Sequence, residues 1–394
     1  MPFALLLLGV AVFAQGTSEF MLSGLVPDIA RDLGVSVPAA GALTSAFAVG
    51  MVAGAPLVAG LARRWPRRGA LLGFLGVFLA VHVLGAVTDS FGVLVVTRVV
   101  GALANAGFLA VALVTAAAMA GPQAKGRATS VLLGGVTLAC VVGVPAGALL
   151  GQLWGWRAAF WAVVLVSLPA VAAVARSVPG GAADAERPAL RGELRALRSP
   201  RLQVTLVLGA LVNGATFCSF TYLAPLVTKV TGLESGWVPV VLALFGAGAF
   251  VGVVLGGRFA DRRAGAVLAW GGGALCLGWG ALALGAGTPA VTLGLVLVQG
   301  ALSFGVGSTL IARALYAAPG APTLAGGFAT AAFNVGAALG PWLGGTAIGA
   351  GYGYRAPLWV SAVLVALSLV VAGCVGGRRE GRAGGRPVRA SPSA

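Results

Sequence analysis

Charge is what this chain has least of. Asp, Glu, Lys and Arg make up 9% of its 394 residues, where a soluble domain carries about 25%. Lysine occurs twice, as Lys125 and Lys229, and neither follows a glycine. A phosphate-cradling G-x-x-x-x-G-K-[ST] loop is therefore excluded, and ATP is not the direct fuel. Histidine occurs once, as His82, inside an apolar run. No Ser/His/Asp or Cys/His set can be assembled around it, so an enzyme is not expected. The four cysteines, Cys140, Cys218, Cys276 and Cys374, all fall in apolar segments. They read as small buried hydrophobes, without the spacing of a disulfide framework or a metal site. No cofactor is implied, and strings such as GAGAFVG are helix glycines rather than a dinucleotide fingerprint.

What is present is apolar. Hydrophobic residues reach 59% and mean hydropathy is +0.98. No soluble fold of this length needs that much apolar surface, so the chain is an all-α integral membrane protein. The 63 glycines and 20 prolines fit, because membrane helices tolerate both. Between the charged clusters lie stretches of about 20 residues, the length of one spanning helix. Twelve spans are expected, near 3–26, 38–61, 70–88, 92–118, 128–151, 157–176, 203–227, 237–257, 265–286, 290–312, 323–348 and 356–376. The first lacks a basic n-region and a small-residue cleavage site, so it reads as a retained helix.

Basic residues set the orientation. Twenty-one of the 26 fall in loops on the side of the termini. The opposite side has only Arg31, Arg157, Lys229 and Arg355, and Arg98 lies near the start of span 4. Positive residues stay in the cytoplasm, so both termini are expected there. The net charge of +16 is spread over membrane-flanking loops, which argues against nucleic-acid binding. The polar stretch 177–202 links spans 6 and 7. In it Leu190, Leu194 and Leu197 share a helical face, with Pro188 placed to start a surface helix and Pro200 to end it. The tail 377–394 reads as disordered.

The two halves repeat with an offset of 198. PDIARDLG (27–34) matches PLVTKVTG (225–232), and GWRAAFW (155–161) matches GYRAPLW (353–359). Gly50 meets Gly248, Gly54 meets Gly252 and Arg64 meets Arg262. The domains are thus a six-helix bundle at 1–176, a linker at 177–202, a second bundle at 203–376 and the tail. Parallel six-helix repeats build one large group of secondary transporters, with the substrate site near mid-membrane between the halves.

One acid stands apart. All ten acids except Glu19, in AQGTSEFMLSG (14–24), fall in or beside loops. Burying a carboxylate in hydrocarbon costs several kcal/mol, so it must face a cavity, be protonated, or make a packing hydrogen bond. Gln15 and Ser23 share its helix face at i−4 and i+4. The repeat of Glu19 is Phe217, and Asn213, Phe217 and Thr221 form the matching face of span 7. Together they would line a cavity for a small, neutral, amphipathic aromatic. Asn105, Asn334, Gln299 and Ser303 are further cavity candidates. His82 reads as structural or lipid-facing.

The chain resembles the major facilitator superfamily, and within it the twelve-span drug:H⁺ antiporters. The loop GGRFADRRAG (256–265) keeps the family's A-D-R at Asp261 and Arg262. The first copy, AGLARRWPRR (59–68), has Arg63 in place of the acid. Asp261 is accordingly expected to cap a helix at the cytoplasmic face. GVPAGALLG (143–151) in span 5 and GAALGPWLGG (336–345) in span 11 are similar to the antiporter glycine signature. Gly143, Pro145 and Gly147, with Gly340, Pro341 and Gly344, are then helix-packing and gating residues, and the family uses such packing to seal the cytoplasmic side. Arg98 matches the arginine of the family's L-x-x-x-R, which it links to proton coupling; snorkelling to the outer interface is the alternative. FAQGTSEFMLSGLVPDIARDLGVS is most similar to the actinomycete chloramphenicol exporters. The resemblance implies proton-coupled drug export by alternating access, with Glu19 and Arg98 as coupling residues and a monomer in the cell membrane. Export of a sugar or another hydrophobic drug, and a sensor that transports nothing, are the other readings.

Overall fold

The structure is a computed structural model that describes residues 3–61, 65–120, 125–178, 194–318 and 324–383. Its ordered elements, among the described residues, are all helical. Span 1 consists of Phe3–Phe20 and Leu22–Asp32. Spans 2, 3 and 4 are Val37–Leu61, Arg67–Val87 and Phe91–Ala120. Span 5 runs as Lys125–Leu138 and Val144–Trp154 around a π turn, Ala139–Gly143, and span 6 is Trp156–Ser177. Span 7 is Pro200–Thr221 with Leu223–Lys229, and span 8 is Val238–Ala266. A π turn, Val267–Gly271, precedes span 9, Gly272–Gly285. Spans 10, 11 and 12 are Pro289–Ala317, Leu324–Ala347 and Ala356–Ala383.

Among the described residues, ten helices are long and apolar enough to cross a membrane, and the bent pair in span 1 makes an eleventh. Span 11 falls short because glycine, alanine and Asn334 replace its large apolar residues. It can afford this because span 7 covers it: Gly336 and Gly340 lie against the backbone at Ala210 and Gly214. The apolar side chains left outside, such as Leu165 at 62% and Leu277 at 76% exposure, form the lipid-facing belt.

The repeat is visible in backbone geometry. Gly34 and Gly232 both have positive φ (64° and 74°), as do Gly155 and Gly353 (82° and 73°). Each pair is related by the 198-residue offset and makes the same turn opposite the face where span 1 begins. Only glycine takes up that conformation without a Cβ penalty.

Several expectations need correction. Pro200 opens span 7 instead of closing a linker helix; it fits because a first-turn proline has no helical N–H to lose. Leu194–Arg198 is a 3₁₀ turn, and residues 179–193 lie outside the described residues. Span 12 continues helical to Ala383, into the segment expected to be disordered. Cys140 and Cys218 are buried, but Cys374 is exposed on the outer surface of the bundle.

Candidate transport site

Span 1 breaks at Met21, and its two pieces meet at 52°. Pro27, in the second piece, has no N–H for the Ser23 carbonyl, which weakens the helix on that side. Arg98 of span 4 occupies the other side. Its Nη2 donates to the Ser18 carbonyl at 2.6 Å and its Nη1 to Ser18 Oγ at 2.9 Å. A side chain inserted into the helical ladder in this way is a recognised cause of a sharp bend. Span 7 breaks at Tyr222, near the matching Pro225, and Tyr222 donates to the Pro341 carbonyl at 2.8 Å.

Arg98 is 1% exposed and stacks over the Phe47 ring at 4.4 Å. It does not snorkel, because its guanidinium is already committed inside the bundle. Its Nε–H has no partner among the described residues. His82 is 2% exposed and not lipid-facing. Its Nδ1 lies 2.7 Å from the Phe78 carbonyl and its Nε2 2.6 Å from Ser18 Oγ. Glu19, next in sequence, is half-buried and within electrostatic reach of Arg98. Its carboxylate makes no hydrogen bond or ion pair with any described residue. A packing hydrogen bond from Thr17 or Ser18 is therefore absent: Thr17 donates to the Phe13 carbonyl, and Ser18 serves Arg98 and His82.

The other candidates fall into two groups. Gln15, at 1% exposure, and Thr221, at 0%, are buried with unpaired side-chain atoms. Phe217 meets Phe20 across the two halves at 5.6 Å. These three stay available at the junction of spans 1 and 7. In contrast, Asn213 donates to the Phe333 carbonyl at 2.7 Å and Asn334 to its own helix at Thr330. Asn105 leans on Met51 Sδ at 3.6 Å, and Gln299 ties span 10 to the Leu275 carbonyl of span 9. Ser303 is buried with its hydroxyl unpaired. Ser23 is buried as well, but the break at Met21 lies between it and Glu19. The straight i, i+4 face drawn from sequence therefore does not continue through it.

The glycine rows lie in the halves of spans 5 and 11 away from the face where span 1 begins. Gly143, Gly147 and Gly151 sit against Thr17, Met21 and Leu25 of span 1, and Gly344 against Cys218 and Tyr222 of span 7. They join helices within one half, not across a seal at the terminal face. Pro145 lies at the start of Val144–Trp154, and Pro341 lies inside span 11. Asp261 falls inside the Val238–Ala266 helix, so it does not cap that helix's own start. The side chains of Asp261 and Arg262 lie outside the described residues.

The closest described approaches between the halves also lie away from the terminal face. Gly246 of span 8 lies against the Cys140 backbone in the π turn of span 5, and Gly24 faces Leu242. Gly41 of span 2 meets the Tyr222 ring of span 7, and Gly345 of span 11 meets Pro38 of span 2. Gln152 donates to the Ser235 carbonyl at 2.6 Å. Beyond this closure a cavity of about 920 Å³ opens between the halves, lined by Asp28, Arg31, Gln152, Lys229 and Ser235 among others. The mid-membrane candidates lie on the other side of the closure from it.

Residues 8–326 match the Major Facilitator Superfamily. The chain belongs to this superfamily. It is 60% identical over 375 residues to a chloramphenicol resistance protein of Streptomyces lividans, covering 94% of this chain and 96% of that one. It is 35% identical to the inner membrane transport protein YdhP of Escherichia coli, over 94% and 95% of the two chains. Among solved structures, a bacterial homologue of the human lysosomal transporter Spinster, inward-facing and occupied, superposes with a TM-score of 0.74. It covers 95% of this chain and 96% of its own at 16% identity, a likeness of fold. This superfamily member is thus a multi-pass membrane transporter built as two six-helix bundles.

Sequence reasoning missed Ser18 and underweighted His82. The signal was there. A lone histidine and a lone mid-span arginine, in a chain with so few charges, each require a polar partner, and TSE (17–19) offers one.

Proposed function

We propose that this transporter exports chloramphenicol, or a closely similar small amphipathic drug, from the cytoplasm in exchange for protons. The observation that carries the substrate is the 60% identity to a chloramphenicol resistance protein over nearly the whole of both chains. Glu19 supports the energy source, as a membrane acid left without a hydrogen bond to any described residue, beside a buried arginine.

The geometry supports a mechanism. Bringing a free carboxylate into a low-dielectric site is costly, so Glu19 changes protonation as its access alternates. A proton taken from outside neutralises it and a proton given up inside restores the charge. Drug held beside Glu19, against Phe217, Gln15 and Thr221, trades against that proton. The halves rock about the spans 1 and 7 junction, and the Gln152–Ser235 contact opens when the site faces out. The arginine-rich loops support a cytoplasmic side for both termini. The working unit is a monomer, with domain limits at 1–176 and 203–376.

Each exchange of one neutral drug for one proton carries one positive charge inward. Labelled chloramphenicol should therefore accumulate in inverted membrane vesicles under either an imposed pH gradient or an imposed potential. Flux indifferent to both would overturn the coupling. If the vesicles accumulate a sugar or a different drug instead, the substrate falls while export stands. Saturable ligand binding by purified protein with no flux in liposomes would favour a sensor.

A further inference from the structure

We infer that Ser18 and His82 form a clamp that holds Arg98 off Glu19, leaving the Glu19 carboxylate free to exchange its proton. This rests on the proton-exchange reading above and adds two residues that position a third.

The hydrogen bonds assign every proton in the network. The Phe78 carbonyl only accepts, so Nδ1 of His82 carries the ring proton and donates it at 2.7 Å. Ser18 Oγ already receives an N–H from Arg98. Its own proton has no other acceptor among the described residues, so it points to Nε2 of His82, 2.6 Å away, which leaves Nε2 bare and the ring neutral. The ring is fixed between Phe78 at 4.0 Å and Phe160 at 5.8 Å. The Ser18 lone pair is thereby held toward Arg98, and the Ser18 carbonyl, at the helix break, takes the second N–H.

Charge alone would not leave Arg98 there. A buried guanidinium attracts a nearby carboxylate strongly at low dielectric, and Glu19 is the residue next to its acceptor. Arg98 also has an unspent Nε–H donor. Yet the two make no ion pair among the described residues, and the arginine acts on the acid only through space. A direct pair would hold the negative charge on Glu19 and withdraw it from proton exchange. The clamp prevents that by engaging both terminal nitrogens of the guanidinium. The charged and titratable groups around it are Glu19 of span 1, Arg98 of span 4 and, beside Glu19, Cys140 of span 5. Spans 3 and 6 present aromatic rings.

The test is the pH dependence of proton-driven chloramphenicol uptake into inverted vesicles. His82→Leu and Ser18→Ala each release Arg98 toward Glu19. Half-maximal uptake should then move about one pH unit toward acid, because a nearby cation makes a carboxyl harder to protonate. The maximal rate should fall while KM for drug stays within about two-fold. Partners in one network do not add, so the double variant should shift no further than either single one. His82→Gln, whose amide oxygen can take the Ser18 proton, should restore the parent profile. If a variant is not monodisperse after purification, Arg98→Lys serves instead. It keeps the charge but cannot span both Ser18 oxygens, so the same acid shift is expected. An unmoved profile, an alkaline shift, or shifts that add in the double variant would overturn the clamp. A parent that shows no proton-driven uptake would overturn the exchange reading, and the clamp with it.

Discussion

The two halves share a backbone but not a chemistry. At positions 198 residues apart, Glu19 faces Phe217, Arg98 faces Val296, His82 faces Gly280 and Ser18 faces Thr216. The mid-membrane charge lies in the first half. The second is held by neutral bonds: Ser219 to Ser361 at 2.7 Å, Ser361 to the Ala215 carbonyl at 2.6 Å, and Tyr222 to the Pro341 carbonyl. Its centre is aromatic, with Phe217, Phe220, Phe245 and Phe304 in successive ring contact. The far-face loops repeat the asymmetry. Arg157 pairs with Asp32 and Asp89 and stacks on Trp156 at 4.4 Å. Its counterpart Arg355 meets Val230 and Gly287 at the positions of those acids. Duplication kept the turns and helix contacts that a bundle needs twice. On the proposed mechanism coupling is needed once, because rocking would move both halves together, so one half would keep the charges and the other would be left to fit the drug.

That division can be broken in order of expected effect. Glu19→Gln should cut proton-driven accumulation by 100-fold or more, while Phe217→Gln at the related position leaves the driving force in place and raises KM for drug. Vesicle uptake with and without uncoupler separates the two, and equal loss of coupling in both would end the asymmetry. Gly340→Val pushes a side chain into the Gly214 backbone of span 7, where neither helix can yield. Overpacking of this kind costs about 3 kcal/mol, which thermal unfolding of the detergent-solubilised protein should detect. Tyr222→Phe leaves the Pro341 carbonyl without its partner and should cost about 1–2 kcal/mol by the same assay. Arg157→Ala should cost about 1 kcal/mol, and Arg355→Ala close to nothing. An Arg355→Ala loss as large as that of Arg157→Ala would show that the far-face loops are energetically symmetric after all.

Much of the fold was legible because membrane physics writes large signals. Apolar runs gave the spans, and the PDIARDLG and PLVTKVTG copies gave the two bundles, down to the left-handed glycines that end them. Span 11 was legible only through its glycine row, since burial against span 7 freed it from the need for large apolar residues. The site was legible in part. Glu19 and Arg98 stand out by rarity alone. Ser18 did not, because a serine inside a membrane helix usually bonds its own backbone, and nothing in the sequence pairs it with an arginine 80 residues away. The i, i+4 face drawn through Ser23 assumes a straight helix, and nothing local to residues 19–23 announces a 52° bend. The glycine rows mark close helix packing, but spacing carries no information on which neighbouring helix is met.

The central claim is that a proton on Glu19 and a drug molecule compete for one site, and the most direct measurement is proton release on binding. Chloramphenicol would be added to purified protein in lightly buffered detergent solution while the pH is followed. The account predicts release from the parent that saturates with drug, and none from Glu19→Gln even at drug concentrations that fill its site. Release of the same size from Glu19→Gln would contradict it and place the coupling proton elsewhere.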